Sequence, residues 1–572
     1  MKILGLASPF GHDASAALII DGKIVAAAEE ERFTRNKHAS GEMPVHAVSF
    51  CLKTAGIRPK DVDCVAYPWS VKALREKRWE HFKRTIFSSP SRAYKKFFRN
   101  QKEFKGQKNY INNCLKECGF DVKKTRIEWV EHHLAHAASS FYPSGFSEAA
   151  ILSVDGGGEI TSTLLGMAGQ QKITKIKEIV SPDSLGNFYA TITDYLGFQR
   201  EDGEYKVMGM APYGDSRKVN LDHIVWWIDQ KKTYRCNEDY VWVKRTKRFR
   251  MDKVYSKQMV HEFGPERAGD SLSEPYIHIA AATQAKLEEI TLKLVDAYLT
   301  DELKKHKTLC FSGGCALNVS LNRKLLEHPL IERLWVQPAS HDAGGSLGAA
   351  AYVAAQNGEK IAAMEHVYLG PEFDNKEIEK ALQSSGFQFQ YVDDICLRVA
   401  ELLTQGEIIG WFQGKMEWGP RALGNRSIVG NPTIKGTNDR INTIIKFREN
   451  WRPFCPSILK EFANDILGSD HPAPFMTLAF KVTPPWRNRI PEAVHVDGTC
   501  RPQVVEERLN PKYHRLIKNF YQKTNIPAVI NTSLNRRGEP MVCSPEDALT
   551  MFKESGLEYL AIGDFLVRKT SG

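Results

Sequence analysis

The stretch KILGLASPFGHDASAALIIDGKIVAAAEE, residues 2–30, decides the fold of this chain. KILGLA is followed by the turn SPFGHDAS, then AALII, the turn DGK and IVAAAEE. Short apolar runs bounded by Gly, Asp and Ser predict a β-meander of three strands. The same order returns at residue 149 with AAILSVD, a Gly-rich turn, TSTLLGM, a polar turn and KITKIKEIV. We therefore predict a duplicated α/β domain.

Two such hairpin repeats resemble actin-like ATPases and sugar kinases, in which each first hairpin brings backbone amides to a phosphate. The ligand of those proteins lies in the cleft between the repeats. A small-residue stretch, SHDAGGSLGAAAYVAAQ, ends the second repeat as a helix. We place this domain at residues 1–360, a linker at 361–375, and a second, α+β domain at 376–572.

Composition is that of a soluble globular protein. The 572 residues are 42% hydrophobic, with 78 Lys and Arg against 68 Asp and Glu, which gives a net charge of +10. Disorder, collagen and coiled coil are excluded as the main architecture. No run of 18 apolar residues predicts a membrane-spanning helix. Eleven cysteines without a Cys-x-x-Cys pair indicate reduced thiols and a cytoplasmic protein.

The positive charge is concentrated in one segment, residues 72–108, inside an insertion at about 72–125. The segment holds 13 Lys or Arg and 3 Glu, a net of +10. Its aromatic residues are Trp79, Phe82, Tyr94, Phe97, Phe98 and Phe104. Tyr94, Phe97 and Phe98 have helical spacing. Two interpretations stay open: a contact for an anionic surface or substrate, or an insertion that docks its aromatic face on the core while its cations remain solvated.

A metal site is predicted from two histidines and two aspartates. His132 and His136 share one face of a helix, so both imidazoles can reach one ion. Asp155 and Asp342 each follow a strand and precede glycines. The zinc-protease pattern fails, because His133 stands where that pattern needs glutamate. This nitrogen and oxygen set suits Fe²⁺, Mn²⁺ or Zn²⁺. The alternative is a buried or surface histidine pair with turn-capping aspartates.

Further candidates lie in turns. His12 sits in the first hairpin turn, where a neutral imidazole could accept a proton from an attacking hydroxyl. Guanidinium groups beside glycine turns suit phosphate or carbamate oxygens. The C-terminal candidates are Arg421, Arg426, Lys446, Arg448, Arg452, Ser533 and Asn535.

Ten motifs, taken in their order along the chain, make a match to one protein family highly specific. They are HDASAAL, AEEERFTRNKH, HHLAHAASSFY, VDGGGE, GEYKVMGMAPYG, SGGCALN, DAGGSLGAA, GPRALGNRS, KFRENWRPF and NTSLNRRGEP. Through them the chain resembles the nodulation and cephamycin-type O-carbamoyltransferases over essentially its full length. The chain differs from a minimal member of that family by its basic segment, residues 72–108.

The resemblance implies an ATP-dependent enzyme with two steps. The C-terminal domain resembles YrdC-like domains and would join carbamoyl phosphate to ATP, with Mg²⁺, making carbamoyl-adenylate and releasing pyrophosphate. Lys446 with Arg448, and Ser533 with Asn535, match the motifs that hold the nucleotide there. The N-terminal domain would then transfer the carbamoyl group to a hydroxyl.

Site roles in the N-terminal domain also follow from the resemblance. The family's metal ligands, with Fe²⁺ favoured, map onto His132, His136, Asp155 and Asp342, and its essential loop histidine maps onto His12. Close backbone approach to the adenylate is expected at four glycines, and side-chain contacts at two further residues: Gly157, Gly209, Gly313, Gly314, Lys206 and Asn318.

The acceptor is expected to be a small molecule or sugar, and no nucleic acid is expected as a partner. A homodimer is left open. A tRNA threonylcarbamoylation factor that uses the basic segment as an RNA platform is the first alternative, and salt-dependent RNA binding would support it. A sugar kinase is the second, although it leaves the C-terminal domain unexplained. A histidine base predicts that transfer declines below about pH 6.5.

Overall fold

The computed structural model describes residues 1–8, 11–98, 100–241 and 253–569. Arg99, part of the predicted basic segment, lies outside the described residues. The strands are β1 (Lys2–Ala7), β2 (Ser15–Ile20), β3 (Lys23–Glu29), β4 (Cys64–Tyr67), β5 (Ile127–Trp129), β6 (Glu148–Val154), β7 (Thr161–Gly169), β8 (Lys172–Val180), β9 (Val225–Ile228), β10 (Thr233–Cys236), β11 (Thr308–Ser312), β12 (Arg333–Val336), β13 (Phe389–Tyr391), β14 (Ile409–Phe412), β15 (Arg426–Gly430), β16 (Cys455–Leu459), β17 (Phe480–Lys481), β18 (Thr499–Cys500), β19 (Gln503–Val505), β20 (Ala528–Ser533), β21 (Tyr559–Ile562) and β22 (Phe565–Arg568).

The α-helices alternate with these strands along the chain. They are α1 (Glu31–Thr34), α2 (Val45–Thr54), α3 (Val71–Thr85), α4 (Pro90–Phe98), α5 (Asn100–Glu117), α6 (His132–Phe141), α7 (Leu185–Tyr195), α8 (Glu204–Met210), α9 (Lys257–Phe263), α10 (Tyr276–Tyr298), α11 (Thr300–His306), α12 (Val319–Leu326), α13 (Gly344–Gln356), α14 (Asn375–Ser385), α15 (Ile395–Thr404), α16 (Thr437–Arg440), α17 (Ala463–Leu467), α18 (Pro484–Arg487), α19 (Pro511–Thr524) and α20 (Pro545–Glu554). None of these described helices has both the length and the apolar character needed to cross a bilayer.

The chain divides into two compact units. Unit 1 comprises residues 1–30 and 41–364, and unit 2 comprises residues 31–40 and 365–572. The sequence analysis placed a single junction within 361–375. It did not predict that ten residues near the N-terminus would belong to unit 2.

The two five-stranded sheets of unit 1 share one strand order. The first runs β3-β2-β1-β4-β5 and the second runs β8-β7-β6-β11-β12. In each sheet the opening meander is antiparallel, as Gly5 opposite Ala17 and Leu152 opposite Leu165 illustrate, and the last three strands of the order are parallel. The repeated meander predicted from residues 2–30 and 149–180 is present, and the mixed α/β class is confirmed.

Helix α13 packs against both β1 and α6, and its small residues are what permit this. A Cβ on Gly348 would lie 1.9 Å from the backbone oxygen of Ala135, in α6. A Cβ on Gly5 would lie 1.8 Å from the backbone oxygen of Ser346. Neither position can hold a larger side chain without moving backbone, so glycine at both positions fixes how closely α13 approaches α6 and β1.

Unit 2 is built on a mixed sheet with the order β13-β22-β21-β14-β15-β20-β16-β19. Its core is apolar and includes Phe412, Ile428, Ile530 and Phe552, each at most 1% exposed. Segment 31–40 belongs to this unit: Phe33 packs against Met416, Ala422, Met541 and Cys543. Arg35 donates to the backbone oxygens of Pro540 and Met541.

The basic segment forms helices α3, α4 and part of α5, and it belongs to unit 1. Arg84 makes two hydrogen bonds to the fully buried carboxylate of Asp183, at 2.8 and 2.9 Å, and pairs with Glu238 at 3.1 Å. Leu74 packs with Ile160 and Val180. One side of the segment is therefore docked on the unit, but not as the second interpretation expected: the docked side carries Leu74 and the paired Arg84, whereas Trp79, Tyr94 and Phe98 are more than half exposed.

Candidate active site

Four predicted metal ligands converge in unit 1. His132 and His136 lie one turn apart on α6, Asp155 follows β6, and Asp342 precedes α13. One ligand atom from each lies within 4.8 Å of all the others. The Nε2 atom of His132 is 3.1 Å from Nε2 of His136, 3.4 Å from Oδ2 of Asp155 and 3.5 Å from Oδ1 of Asp342. All four residues are buried.

The donor set fits a divalent cation. Ligand atoms about 2.1 Å from a tetrahedral ion lie about 3.4 Å apart, which matches the spacing of these atoms. Two imidazoles and two carboxylates carry the charge that such an ion balances. His133, between the two ligand histidines, places its Nδ1 2.9 Å from Oγ of Ser153. That contact directs the ring of His133 toward β6, so we assign His133 a structural role.

The carboxylates dominate the electrostatics of the cluster. Burial lowers the pKa of His132, but Asp342 and Asp155 outweigh burial and raise that pKa to about 9. Burial raises the pKa of Asp155, but hydrogen bonding to His132 and the charge of His136 hold it well below its usual range. His132 is therefore attracted to both carboxylates, which favours the short distances between its Nε2 atom and their oxygens.

A buried glutamate that sequence reasoning missed orients the histidine helix. Glu159 is 2% exposed, and burial raises its pKa. Its Oε1 accepts the backbone N–H of His132 at 3.2 Å and that of Ser70 at 2.6 Å. A carboxylate at a helix N-terminus satisfies donors that have no partner within the helix. The motif VDGGGE contains this residue, but a glutamate after three glycines also fits an ordinary turn.

His12 lies beside the cluster, as the sequence predicted, but its charge differs from the prediction. Its Nδ1 is 3.2 Å from Oδ2 of Asp13, and its Nε2 is 4.0 Å from Oδ2 of Asp342. Burial lowers the pKa of His12, but Asp13 and Asp342 outweigh burial and raise it to about 10. Without a bound cation, these two carboxylates therefore favour the charged imidazole, whereas the sequence predicts a neutral one. His341, also missed, lies 4.0 Å from Asp13.

The predicted glycines lie around Asp155 or nearby. The backbone N–H of Gly314 donates to Oδ1 of Asp155 at 2.8 Å, and that of Gly157 donates to Oδ2 at 3.4 Å. Gly313 has a φ of +89°, and a Cβ there would lie 2.3 Å from the backbone oxygen of Val154. Gly209 lies on α8. These turns hold the aspartate, while the space beside Gly157 is open.

Lys206 and Asn318 have different surroundings. Lys206 is buried on α8, with its Nζ 5.3 Å from the ring centre of Phe198. The side chain of Asn318 exchanges two hydrogen bonds with Gln284 and accepts the backbone N–H of Leu321. Asn318 therefore caps α12, and its contact with a nucleotide stays a prediction.

In unit 2, Lys446, Ser533 and Asn535 are brought together as predicted. The ammonium of Lys446 donates to Oγ of Ser533 at 3.1 Å, to Oδ1 of Asn535 at 2.6 Å and to the backbone oxygen of Ser533. Lys446 is 3% exposed. Burial, together with the charges of Arg448 and Arg452, puts its pKa well below the usual range.

The neighbouring arginines are held by this unit. Arg448 donates from Nε to Asn442 at 2.6 Å, and its guanidinium lies 4.5 Å from the ring centre of Phe454. Arg452 pairs with the buried carboxylate of Glu449 at 3.5 Å. Lys446, Arg448 and Arg452 thus bring three cationic side chains into one region of unit 2, and such side chains are the usual partners of phosphate and carboxylate oxygens.

Arg426 has the surroundings of a structural residue, although its predicted role as a ligand residue stays a prediction. It is fully buried, and its guanidinium lies 3.7 Å from the ring centre of Phe412. Its hydrogen bonds go to the backbone oxygens of Pro371, Gln413, Gly414, Asn425 and Cys543. A side chain that joins five carbonyls holds the sheet together and has little capacity left for phosphate. Arg421 is half-buried in the preceding loop.

Comparison with known proteins identifies the family. The family model for the carbamoyltransferase N-terminus matches residues 2–351, and that for the carbamoyltransferase C-terminus matches residues 400–569. An uncharacterised protein of Synechocystis sp. is 37% identical over 100% of this chain and 97% of its own length. Nodulation protein NolNO of Sinorhizobium fredii is 35% identical over 99% of this chain and 80% of its own.

Two further similarities are more distant. Nodulation protein U of Rhizobium tropici is 26% identical over 94% of this chain and 91% of its own length. Among solved structures, HypF of T. kodakarensis covers 63% of this chain and 48% of its own, with 13% identity and a TM-score of 0.31, which is too low to support an argument. On the two family matches and the full-length relatives, the chain belongs to the carbamoyltransferase family and is a carbamoyltransferase.

Proposed function

We propose that this carbamoyltransferase is an ATP-dependent O-carbamoyltransferase that works through carbamoyl-adenylate. The observation that carries the proposal is that one chain holds two sites of opposite character. Unit 1 has a buried cluster of imidazoles and carboxylates suited to a cation, and unit 2 has a buried cation cluster suited to a polyanion. In a carbamoyltransferase, the two sites divide activation from transfer.

Activation belongs to unit 2, which we propose is a YrdC-like domain. Carbamoyl phosphate, ATP as its Mg²⁺ complex, and one water would give carbamoyl-adenylate, pyrophosphate and inorganic phosphate, which balances all atoms. Lys446 and Arg448 would bind phosphate oxygens, because charge-assisted hydrogen bonds favour charged oxygen acceptors. Ser533 and Asn535 already converge on Lys446 and hold its ammonium in place.

Transfer belongs to unit 1. The acceptor hydroxyl oxygen would form a bond to the carbamoyl carbon, the bond from that carbon to the phosphate oxygen would break, and AMP would leave. We assign the acceptor proton to Nε2 of His12, with Asp13 holding the ring at Nδ1. A divalent cation on His132, His136, Asp155 and Asp342, for which we favour Fe²⁺ over Mn²⁺ or Zn²⁺, would supply positive charge beside the phosphate.

The charge of His12 fits this assignment when a cation is bound. Asp342 is one of the two carboxylates that raise the pKa of His12. A cation on Asp342 would offset that carboxylate and favour the neutral imidazole. The acceptor is proposed to be a hydroxyl of a small molecule or sugar.

The products formed from ATP test the proposal. Purified protein with ATP, carbamoyl phosphate and a panel of hydroxyl acceptors is followed by ³¹P NMR. We expect pyrophosphate, phosphate and AMP, with pyrophosphate formation dependent on carbamoyl phosphate. ADP as the product would instead indicate a kinase, and absence of nucleotide consumption under all conditions would reject the adenylate route.

A further inference from the structure

The outer side of helices α3 and α4 carries an unusual concentration of exposed aromatic rings. Trp79 is 56% exposed, Tyr94 55% and Phe98 59%, and Phe87, in the turn between the helices, is 95% exposed. Burying such rings is favourable, so their exposure on a stable surface needs a reason. We call these four side chains the aromatic patch.

The rings of α3 and α4 form one continuous surface. Trp79 lies 4.4 Å from Phe97, Phe97 lies 4.8 Å from Phe98, and Phe98 lies 4.7 Å from Tyr94, measured between ring centres. Arg78 lies 5.0 Å from the ring centre of Phe97. Three members of the patch, Trp79, Tyr94 and Phe98, are therefore joined through Phe97 into one apolar surface, with the cation of Arg78 against Phe97.

The opposite side of the same helices is fixed to unit 1. Leu74, His81 and Thr85 are buried along α3, and Arg84 is held by Asp183 and Glu238. Arg92 of α4 donates to Ser181 at 2.9 Å. Because these contacts fix the orientation of α3 and α4, the aromatic patch faces outward in the folded protein.

Exposed cations share these two helices with the patch. Lys72, Arg75, Lys83 and Lys95 are exposed on α3 and α4. The segment 72–108 has a net charge of +10, equal to that of the whole chain. Apolar rings that share helices with exposed Lys and Arg match the boundary between the acyl chains and anionic headgroups of a membrane.

The ring geometry favours a lipid surface over RNA. Single-stranded nucleic acid stacks its bases on the open faces of aromatic rings. Here the Trp79 and Phe97 planes meet at 73°, and the Phe97 and Phe98 planes at 64°, so neighbouring rings cover part of each face. Phe87 and Phe98 also have no polar atom with which to read a base.

We propose that the aromatic patch and the exposed lysines of α3 and α4 dock the protein on an anionic lipid surface. The helices α3 and α4 would lie in the plane of the interface, with the four rings in the headgroup region and the cations against lipid phosphates or carboxylates. This surface would bring the enzyme to acceptors or partners at the membrane. The inference is independent of the carbamoyl-adenylate proposal.

Co-sedimentation of the full chain with vesicles tests the inference. Vesicles of phosphatidylcholine with 30% phosphatidylserine, roughly the range of anionic inner leaflets, are compared with pure phosphatidylcholine. We expect binding to the anionic vesicles only, weakened by salt. The double variants Trp79→Ser with Phe87→Ser, and Lys83→Glu with Lys95→Glu, should each weaken binding by about tenfold or more.

The control is Trp226→Ser, at a 37% exposed tryptophan on β9, which should bind like the parent. Circular dichroism and the midpoint of thermal unfolding confirm that each variant is folded. Equal binding by the patch variants and the parent would overturn the inference, and so would equal binding to neutral and anionic vesicles. Binding to a poly(U) probe without vesicle binding would overturn it in favour of a nucleic-acid platform.

Discussion

The carboxylate of Glu159 accepts the backbone N–H of His132, the first residue of the helix that carries both ligand histidines. The same oxygen accepts the N–H of Ser70, just before α3. One buried side chain therefore joins the turn after β6, the start of α3 and the start of α6. Groups that position metal ligands in this way affect metal affinity without touching the ion.

Replacing Glu159 with Gln should weaken cation binding. The amide keeps the shape of the side chain, but it loses the charge at the helix N-terminus and turns N–H groups toward N–H donors. We expect roughly a 10–100-fold loss in affinity, measured by titration calorimetry with Fe²⁺ under anaerobic conditions or with Mn²⁺. Glu148→Gln, at the other end of β6, is the matched control. Unchanged affinity in Glu159→Gln would show that the helix is positioned by packing alone.

Removing both ligand histidines should remove the metal. The double variant His132→Ala with His136→Ala deletes both nitrogen donors, leaving two aspartates with too few ligands for a tight site. Metal content by mass spectrometry and the transfer rate should both fall to background. His306→Ala, at a histidine on α11 outside the cluster, should retain both. Retention of metal and transfer in the double variant would place the ion elsewhere.

Removing the buried ammonium of unit 2 should stop activation. Lys446→Ala and Arg448→Ala each delete a cation that we assign to phosphate. Loss of one charge-assisted contact costs about 1.5–3 kcal/mol, and more where the partner is desolvated. Exchange of labelled pyrophosphate into ATP in the presence of carbamoyl phosphate reports this step. Lys435→Ala, at an exposed lysine of the same unit, should exchange normally. Full exchange by either deletion variant contradicts the assignment.

His12→Asn should separate the two half-reactions. Unit 2 is unchanged, so pyrophosphate formation should persist. Carbamoylated product should fall by roughly 10²–10⁴-fold, the usual contribution of a positioned acid–base group. The measurement is product formation by mass spectrometry beside pyrophosphate release in the same reaction. An equal loss of both steps would instead make His12 a structural residue.

Arg426→Ala should reduce stability more directly than it affects substrate binding. The change removes a buried donor from five backbone oxygens. Those of Pro371 and Asn425 keep a backbone N–H donor, but each oxygen left unsatisfied costs about 1–3 kcal/mol. We expect a clear drop in the urea midpoint of unfolding, partly restored by Arg426→Lys. Native stability combined with loss of ATP binding would return Arg426 to the list of ligands.

Local patterns were enough to predict the meanders and the metal cluster. Apolar runs and turn residues mark β1 to β3 and β6 to β8, and helical spacing places His132 and His136 on one face. Asp155 and Asp342 could be predicted because polar residues at strand ends of such folds meet at one edge. These signals lie within a few residues of the groups they describe.

The structural roles that the sequence did not predict depend on distant partners. Arg426 in a glycine-rich turn has the sequence of a phosphate ligand, but its acceptors come from residues as far away as 371 and 543. Asn318 is occupied by Gln284 of another helix. Glu159 has a function only because folding brings Ser70 and His132 to it. No local pattern encodes these contacts.

Residues 31–40 belong to unit 2, although the chain before and after them belongs to unit 1. This arrangement limits how the protein can be divided or recombined. A cut between residues 364 and 365 leaves unit 2 without Phe33 and exposes the apolar surface of Met416, Ala422, Met541 and Cys543. It also removes Arg35 from the carbonyls of Pro540 and Met541. The two halves are therefore not exchangeable cassettes, and a gene that loses its first forty codons loses part of its C-terminal domain as well.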